Sequence, residues 1–211
     1  TSRAFPWPST SSATPCGTER QSSEGRRPAH LKNSVNIRTP LTPDLCRRLR
    51  AGDGVFLSGE IYTGRDAAHR RLFEALRQGS PLPIEIEGVT LFYAAPTPAR
   101  PGRVIGSIGP TTSYRMDACT PALIERGLRG MIGKGKRSPE VIAAIRKHGA
   151  VYFGAIGGIA ALTSRCVIRA DVAAYEDLGP EAILRLEVDR MPLVVINDAQ
   201  GGDLYQAPPQ S

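Results

Sequence analysis

The chain has 211 residues, 41% of them hydrophobic, and a formal net charge of +7. That length suggests one domain with tails, and no apolar run approaches the roughly 18 residues that suggest a transmembrane helix. Residues 1–50 hold 9 Lys/Arg against 3 Asp/Glu and residues 51–211 hold 18 against 17, so the part able to fold is near neutral and lacks the basic surface a general nucleic-acid groove needs.

Neither nucleic acid nor a membrane is therefore an expected partner. The N-terminus also lacks the basic-then-apolar layout of a secretory signal. The four cysteines, Cys16, Cys46, Cys119 and Cys166, show no metal-ligand spacing such as C-x-x-C. The expectation is reduced thiols in a cytoplasmic protein, with no metal ligated by this chain.

Residues 1–34 are rich in Ser, Thr, Pro and Arg and carry no apolar period, which predicts a disordered tail. A transit peptide and an upstream extension remain open for it. The folded domain is expected over residues 35–205, with residues 206–211 frayed. Thr42-Pro43-Asp44 reads as an N-cap, a first-turn proline and a first-turn acid, starting a short helix through Arg50. Val55 to Thr63 alternates as a strand, with Val55, Leu57, Gly59 and Ile61 on one face. Gly64 to Gly79 is the clearest helix, with Ala68, Leu72, Ala75 and Leu76 as its apolar stripe.

Ile84-Glu85-Ile86 and Thr90 to Tyr93 flank Glu87-Gly88 and predict a hairpin, and Arg103 to Ile108 predicts a strand. Thr120-Pro121 caps a short helix ending at Gly127, and Gly130 to Gly135 reads as a buried strand opening into a glycine-flanked lysine. Ser138-Pro139-Glu140 begins a helix stopped by Gly149, residues 150–154 form a strand, and Gly157 to Leu162 gives a helix or tight turn. Leu184 to Val188 and Leu193 to Ile196 read as separate late strands. The pattern predicts an α/β, or α+β, layered domain around a mixed central sheet.

The chemistry concentrates in Gly109-Pro110-Thr111-Thr112-Ser113-Tyr114-Arg115-Met116-Asp117. One threonine suffices to cap a helix, so the second is surplus to that structural role. Arg115 lies four residues past Thr111 and three past Thr112, which puts cation and hydroxyls on one face of a helical turn. Asp117 is expected to orient Arg115 or to cap locally. Arg65 sits before the first turn of the 64–79 helix, where backbone N–H groups and a guanidinium could converge on one anion; the competing reading is a surface salt bridge. Lys134 lies between Gly133 and Gly135, which permit close backbone approach to a ligand; the competing reading is a flexible basic loop running into Lys136 and Arg137. His69 is expected to be structural or exposed rather than catalytic. No zinc-protease, nucleophile-elbow, phosphate-loop or dinucleotide motif is present. The resulting expectation is a pocket for a small dicarboxylate, used in catalysis or by a non-catalytic anion-binding module.

Gly54 to Gly59, Thr63-Gly64-Arg65-Asp66-Ala67-Ala68-His69, Val104 to Asp117 and Gly133-Lys134-Gly135 together resemble the β-subunit, or C-terminal domain, of the class I iron–sulfur hydro-lyases, the class I fumarases and L(+)-tartrate dehydratases. The resemblance implies a swivelling β/β/α fold and reversible hydration of a hydroxy-dicarboxylate, with malate/fumarate ahead of tartrate or oxaloacetate. It also implies a [4Fe-4S] cluster on a separate α-subunit, whose open iron would be the Lewis acid, and assembly as a heterodimer or a dimer of heterodimers. By position, Arg65, Arg115 and Lys134 would hold substrate carboxylates, Thr112 would bind substrate, and Thr111 would be the base or proton relay. Asp117 stands with Thr111 as a catalytic candidate. Ala95 before Pro96 departs from the family pattern, where glycine is expected, and Thr63-Gly64 resembles fumarases more than tartrate dehydratases.

Overall fold

Alternation along the strands builds two cores back to back. The computed structural model describes residues 34–155 and 160–206. The tail 1–34, apart from Ser34, therefore lies outside the described residues, as do Gly157, Gly158 and Ile159 of the expected glycine-started turn and residues 207–211. The strands are β1 (Val35–Arg38), β2 (Gly54–Thr63), β3 (Thr90–Phe92), β4 (Gly130–Gly133), β5 (Val151–Ala155), β6 (Val167–Ala174) and β7 (Ile183–Asn197). The helices are α1 (Pro43–Arg48), α2 (Asp66–Arg77), α3 (Thr120–Glu125), α4 (Pro139–His148) and α5 (Ala160–Cys166).

Strands β2, β3, β4 and β5 run parallel in that order, and β7 closes the circuit antiparallel to both β5 and β2. The mixed sheet thus curls into a five-strand barrel, with β1 and β6 as outer strands on β2 and β7. Val55, Leu57, Ile61, Phe92, Ile132, Val151, Phe153, Leu193 and Val195 fill one core. Their strand neighbours Leu91, Tyr93, Met131, Tyr152 and Ile196 enter the second, under Ala68 and Leu72 of α2, Leu123 and Ile124 of α3, and Val141 and Ile145 of α4. Successive strand side chains point to opposite faces, so a strand covered on both faces reads as a continuous apolar run. Each fully buried Leu, Ile, Val or Phe contributes about 1.5–3 kcal/mol. The expected α/β mixed-sheet class is the observed one.

The helix signals hold at α1 and α4, whereas Thr120, expected to cap α3, lies inside that helix and Cys119 takes the N-cap position. The Thr42 hydroxyl accepts from Leu45 N–H at 3.2 Å, Ser138 is the N-cap of α4, and Gly149 ends α4 in the left-handed region at φ 68°. A side chain at Gly149 would be strained there.

Three strand expectations are corrected, and one strand had no expectation. There is no hairpin at Glu87-Gly88, because β3 pairs in parallel with β2 and β4. Ile84 and Ile86 instead pin an irregular segment onto the helical layer, and apolar spacing of two residues fits that as well as a strand. Residues 103–108 are not a strand: Val104 is exposed, Ile105 and Ile108 are buried, and Ile108 N–H donates to Ala160 O at 3.3 Å. The two late strands are one, β7. Arg190 takes φ 49°, and Asp189 and Arg190 bulge opposite Ser58, whose hydroxyl accepts from Arg190 N–H at 2.9 Å and donates to Asp189 at 3.2 Å. Strand β6 was absent from the sequence pattern because only Val167 along it is buried; its outer face is held by ion pairs such as Arg169–Asp171 at 2.8 Å.

Candidate functional site

Three parallel strands deliver the polar residues to one end of the barrel. Open α/β sheets bind ligands at the carboxyl ends of their strands. Here β2 runs into Gly64-Arg65, β3 into Tyr93-Ala94, and β4 into Lys134. Backbone bonds lock these ends together: Gly64 N–H donates to Phe92 O at 3.0 Å and Thr111 N–H to Tyr93 O. Thr112 bridges Lys134 in parallel, Ser113 N–H donates to Lys134 O at 2.9 Å, and Lys134 N–H donates to Thr111 O at 3.3 Å. The 109–117 stretch is therefore an added rung beside β4, followed by a 3-10 turn over Ser113–Met116 rather than an α-helix. Thr111, Thr112 and Lys134 belong to one backbone junction.

Arg65 and Arg115 are joined through a carboxylate that the sequence reading left aside. Asp66 lies with Oδ1 3.3 Å from Arg115 Nε and Oδ2 3.7 Å from Arg65 Nη2. Glu181 comes in from the end of a 3-10 segment, Glu176–Glu181, just before β7. Its Oε1 lies 3.5 Å from Arg65 Nη2 and its Oε2 accepts from Ala67 N–H at 3.1 Å. The expected convergence of Arg65 and helix N–H groups on an anion is present, but the anion is internal. Arg115 and Lys134 side chains are exposed, and Lys134 makes no ion pair among the described residues.

Asp117 has a different occupation from orienting Arg115. It is buried, its Oδ1 accepting from Arg137 Nε at 2.8 Å and its Oδ2 from Ser138 N–H at 2.6 Å. Arg137, read in the sequence as part of a basic loop, is a buried structural cation. Its guanidinium lies between the rings of Tyr93 and Tyr152, at 5.1 and 5.0 Å, and donates to Tyr93 OH and Thr120 Oγ1. Burial opposes its charge, but Tyr93 and Asp117 outweigh that and hold its pKa above the ordinary value. Thr120 thus serves this network and donates to Met116 O, while Cys119 stands at the helix N-cap position.

Beneath the threonines runs a closed chain of hydroxyls. Lys134 N–H donates to Ser113 Oγ at 3.1 Å, Ser113 and Tyr152 hydroxyls lie 2.9 Å apart, and Tyr152 OH donates to Gly135 O at 2.9 Å. A Cβ at Gly133 would collide with Ser113 Oγ, so glycine there lets the 111–113 segment seat against β4. The one available sequence signal for this hydroxyl chain and for the Arg137 network was a pair of buried tyrosines, Tyr152 and Tyr93, each needing a partner for its hydroxyl. Glu181 gave no signal, being remote in sequence from Arg65.

His69, expected to be structural or exposed, is buried. It is 1% exposed, its Nδ1 sits 3.0 Å from Arg65 O, it packs edge-on to Tyr93, and its Nε2 has no partner among the described residues. Burial depresses its pKa to about 4. The native state resists protonation that the unfolded chain accepts near 6.5, so this stability is full above pH 6.5 and is lost as pH falls towards 4. Between pH 7.5 and 5 the wild-type protein should lose about 2 kcal/mol more than His69→Gln does, at about 1.4 kcal/mol per pKa unit. Urea unfolding at both pH values measures the difference; parallel losses in the two proteins would remove His69 from this role.

Among the described residues, no group of three or more His, Cys, Asp or Glu is placed to hold a metal ion. Cys46, Cys119 and Cys166 are free thiols, all pushed above their ordinary pKa chiefly by burial. No helix of the described residues is long and apolar enough to cross a membrane.

The fold and this cluster define a mixed-sheet α/β domain with arginines, a lysine and a hydroxyl pair at the carboxyl ends of its parallel strands. The family described as Fumarase C-terminus matches residues 9–208. The aerobic class I fumarate hydratase of Escherichia coli K12 is 40% identical over 152 residues, covering 71% of this chain and 28% of that protein. The putative L(+)-tartrate dehydratase subunit beta of Methanocaldococcus jannaschii is 37% identical over 172 residues, covering 79% of this chain and 88% of that one. The mitochondrial fumarate hydratase 1 of Leishmania major is 35% identical over 177 residues, 82% of this chain and 32% of that protein. The chain belongs to the fumarase C-terminus family, whose matched relatives carry hydro-lyase names. It spans 28% of the Escherichia coli enzyme and 88% of the tartrate dehydratase subunit.

Proposed function

We propose that this chain is the β-subunit of a two-chain hydro-lyase that reversibly hydrates a small unsaturated dicarboxylate, with malate/fumarate as the first candidate pair and tartrate/oxaloacetate as the next. The observation that carries the reading is the single backbone junction holding Thr111, Thr112 and Lys134, with Arg65 and Arg115 tied together through Asp66. Three cations suit a dianion that gains further charge on a carboxylate when a neighbouring C–H proton leaves. Arg65, Arg115 and Lys134 hold the carboxylates in this reading, and Thr112 donates a hydrogen bond. Thr111 moves the proton, its hydroxyl requiring nearby positive charge and a further base to act near neutral pH. Asp117 acts as a positioning residue, through Arg137 and Ser138.

Departure of the hydroxyl needs an electrophile, and the relatives' family implies an iron–sulfur cluster for it. The described residues do not fit the holding of such a cluster, so its expected home is a partner α-subunit and no step is derived through it. Anaerobic co-expression with a candidate iron–sulfur α-subunit, followed by assay of fumarate formation from L-malate and oxaloacetate formation from tartrate, tests the proposal. Complex formation with turnover of one substrate pair is the expected result; absence of any complex, or a complex inert to both, would sink it. The alternative, a free-standing anion-binding module, predicts firm malate binding by the chain alone. The internal carboxylates Asp66 and Glu181 already engage Arg65, which favours the two-chain reading.

A further inference from the structure

Asp66 touches the two arginines in a way that leaves one recognition edge open. Its Oδ1 approaches Arg115 at Nε, 3.3 Å away, and no partner of Nη1 or Nη2 is found among the described residues. A guanidinium grips a carboxylate bidentately with two parallel N–H bonds. With its Nε side facing the Asp66 carboxylate as an ion pair, Arg115 leaves the terminal Nη1/Nη2 pair as the edge for a ligand. The second oxygen of Asp66 lies 3.7 Å from Arg65 Nη2, so one carboxylate sets the spacing of two guanidinia carried by different segments of the chain. Glu181 Oε1 lies 3.5 Å from the same Arg65 nitrogen, Nη2, while Glu181 Oε2 accepts from Ala67 N–H at the start of α2. The charge of each arginine is offset by an internal acid, and Lys134 supplies the surplus.

We infer that Asp66 is a positioning residue that sets Arg65 and Arg115 for carboxylate recognition, with Glu181 steadying Arg65. The inference rests on the hydro-lyase reading for its kinetic consequence but not for its geometric one. A carboxylate held equally in ground and transition states contributes to KM rather than kcat. In the assembled enzyme acting on L-malate, Asp66→Asn should therefore raise KM about tenfold or more and leave kcat within about threefold. Asp66→Glu should recover part of the loss, because it restores the charge. The melting temperature should stay close to wild type, since the two ion pairs are partly solvated.

An unchanged or lowered KM would overturn the inference, because it would make Asp66 idle or a competitor of the substrate. A matching fall in melting temperature and kcat would overturn it as well, by making the role structural. A second readout needs no turnover: the Arg115 Nε–H signal in the NMR spectrum of the full chain. It should shift and exchange faster in Asp66→Asn, and titration with succinate should perturb Arg115 more weakly in the variant than in wild type. An Nε–H signal indifferent to the substitution would refute the geometry. A wild-type complex without turnover would refute the proposed function while leaving this second readout to decide the positioning role.

Discussion

Replacing Arg137 by Met should cost about 3–5 kcal/mol of stability, because it leaves Asp117 as an unpaired buried charge. Arg137 has no exposed side-chain surface, and Asp117 is about 10% exposed. The substitution also removes a cation from between the Tyr93 and Tyr152 rings and two hydrogen bonds, to Tyr93 OH and Thr120 Oγ1. For a chain of this size the loss corresponds to a fall in melting temperature of about 6–20 °C. Removing both charges should cost less than removing one: Arg137→Met with Asp117→Leu retains no orphaned ion. Calorimetric or denaturant unfolding of the two single variants and the double variant forms a closed cycle. Additive losses would show that the pair is not coupled, contrary to the 2.8 Å contact.

That network also explains how much could be read in advance. Helix starts were legible because Thr42-Pro43-Asp44 and Ser138-Pro139-Glu140 carry their own caps, and capping is local chemistry. The strands of the closed barrel were mostly legible as apolar runs, since both their faces are covered. Strand β6 was not, because an edge strand with one buried residue has no period to detect. Ile84-Glu85-Ile86 misled because two apolar residues two apart fit a pinned coil as well as a strand. In the candidate site, Thr111, Thr112 and Arg115 stood out by their crowding in one short run, and Lys134 by its flanking glycines. Their geometry was hidden. The partners Asp66 and Glu181 meet Arg65 from opposite parts of the chain, and Arg137 looked like one more basic residue after Lys134. Charge clusters in sequence do not tell a solvated run from a buried ion until the tertiary neighbours are known.

Arg115→Met should lower kcat/KM of the proposed two-chain hydro-lyase by about 10²–10³-fold, because about 3–4 kcal/mol of charge-assisted hydrogen bonding to the substrate carboxylate is lost. Folding should be nearly untouched. Arg115 is 47% exposed along its side chain and, among the described residues, makes one ion pair, to Asp66 at 3.3 Å, and such partly solvated pairs contribute little stability. The contrast with Arg137 is the point of the pair of experiments. One arginine is buried and should govern stability; the other is exposed at the strand ends and should govern activity. Arg115→Lys should rescue poorly, because an ammonium keeps the charge but loses the planar fork that meets a carboxylate with two bonds. Steady-state kinetics of the two variants beside their melting curves would check this. Near-wild-type kcat/KM in Arg115→Met would move the carboxylate site away from residues 111–117, and full rescue by lysine would reduce the role of Arg115 to general positive charge.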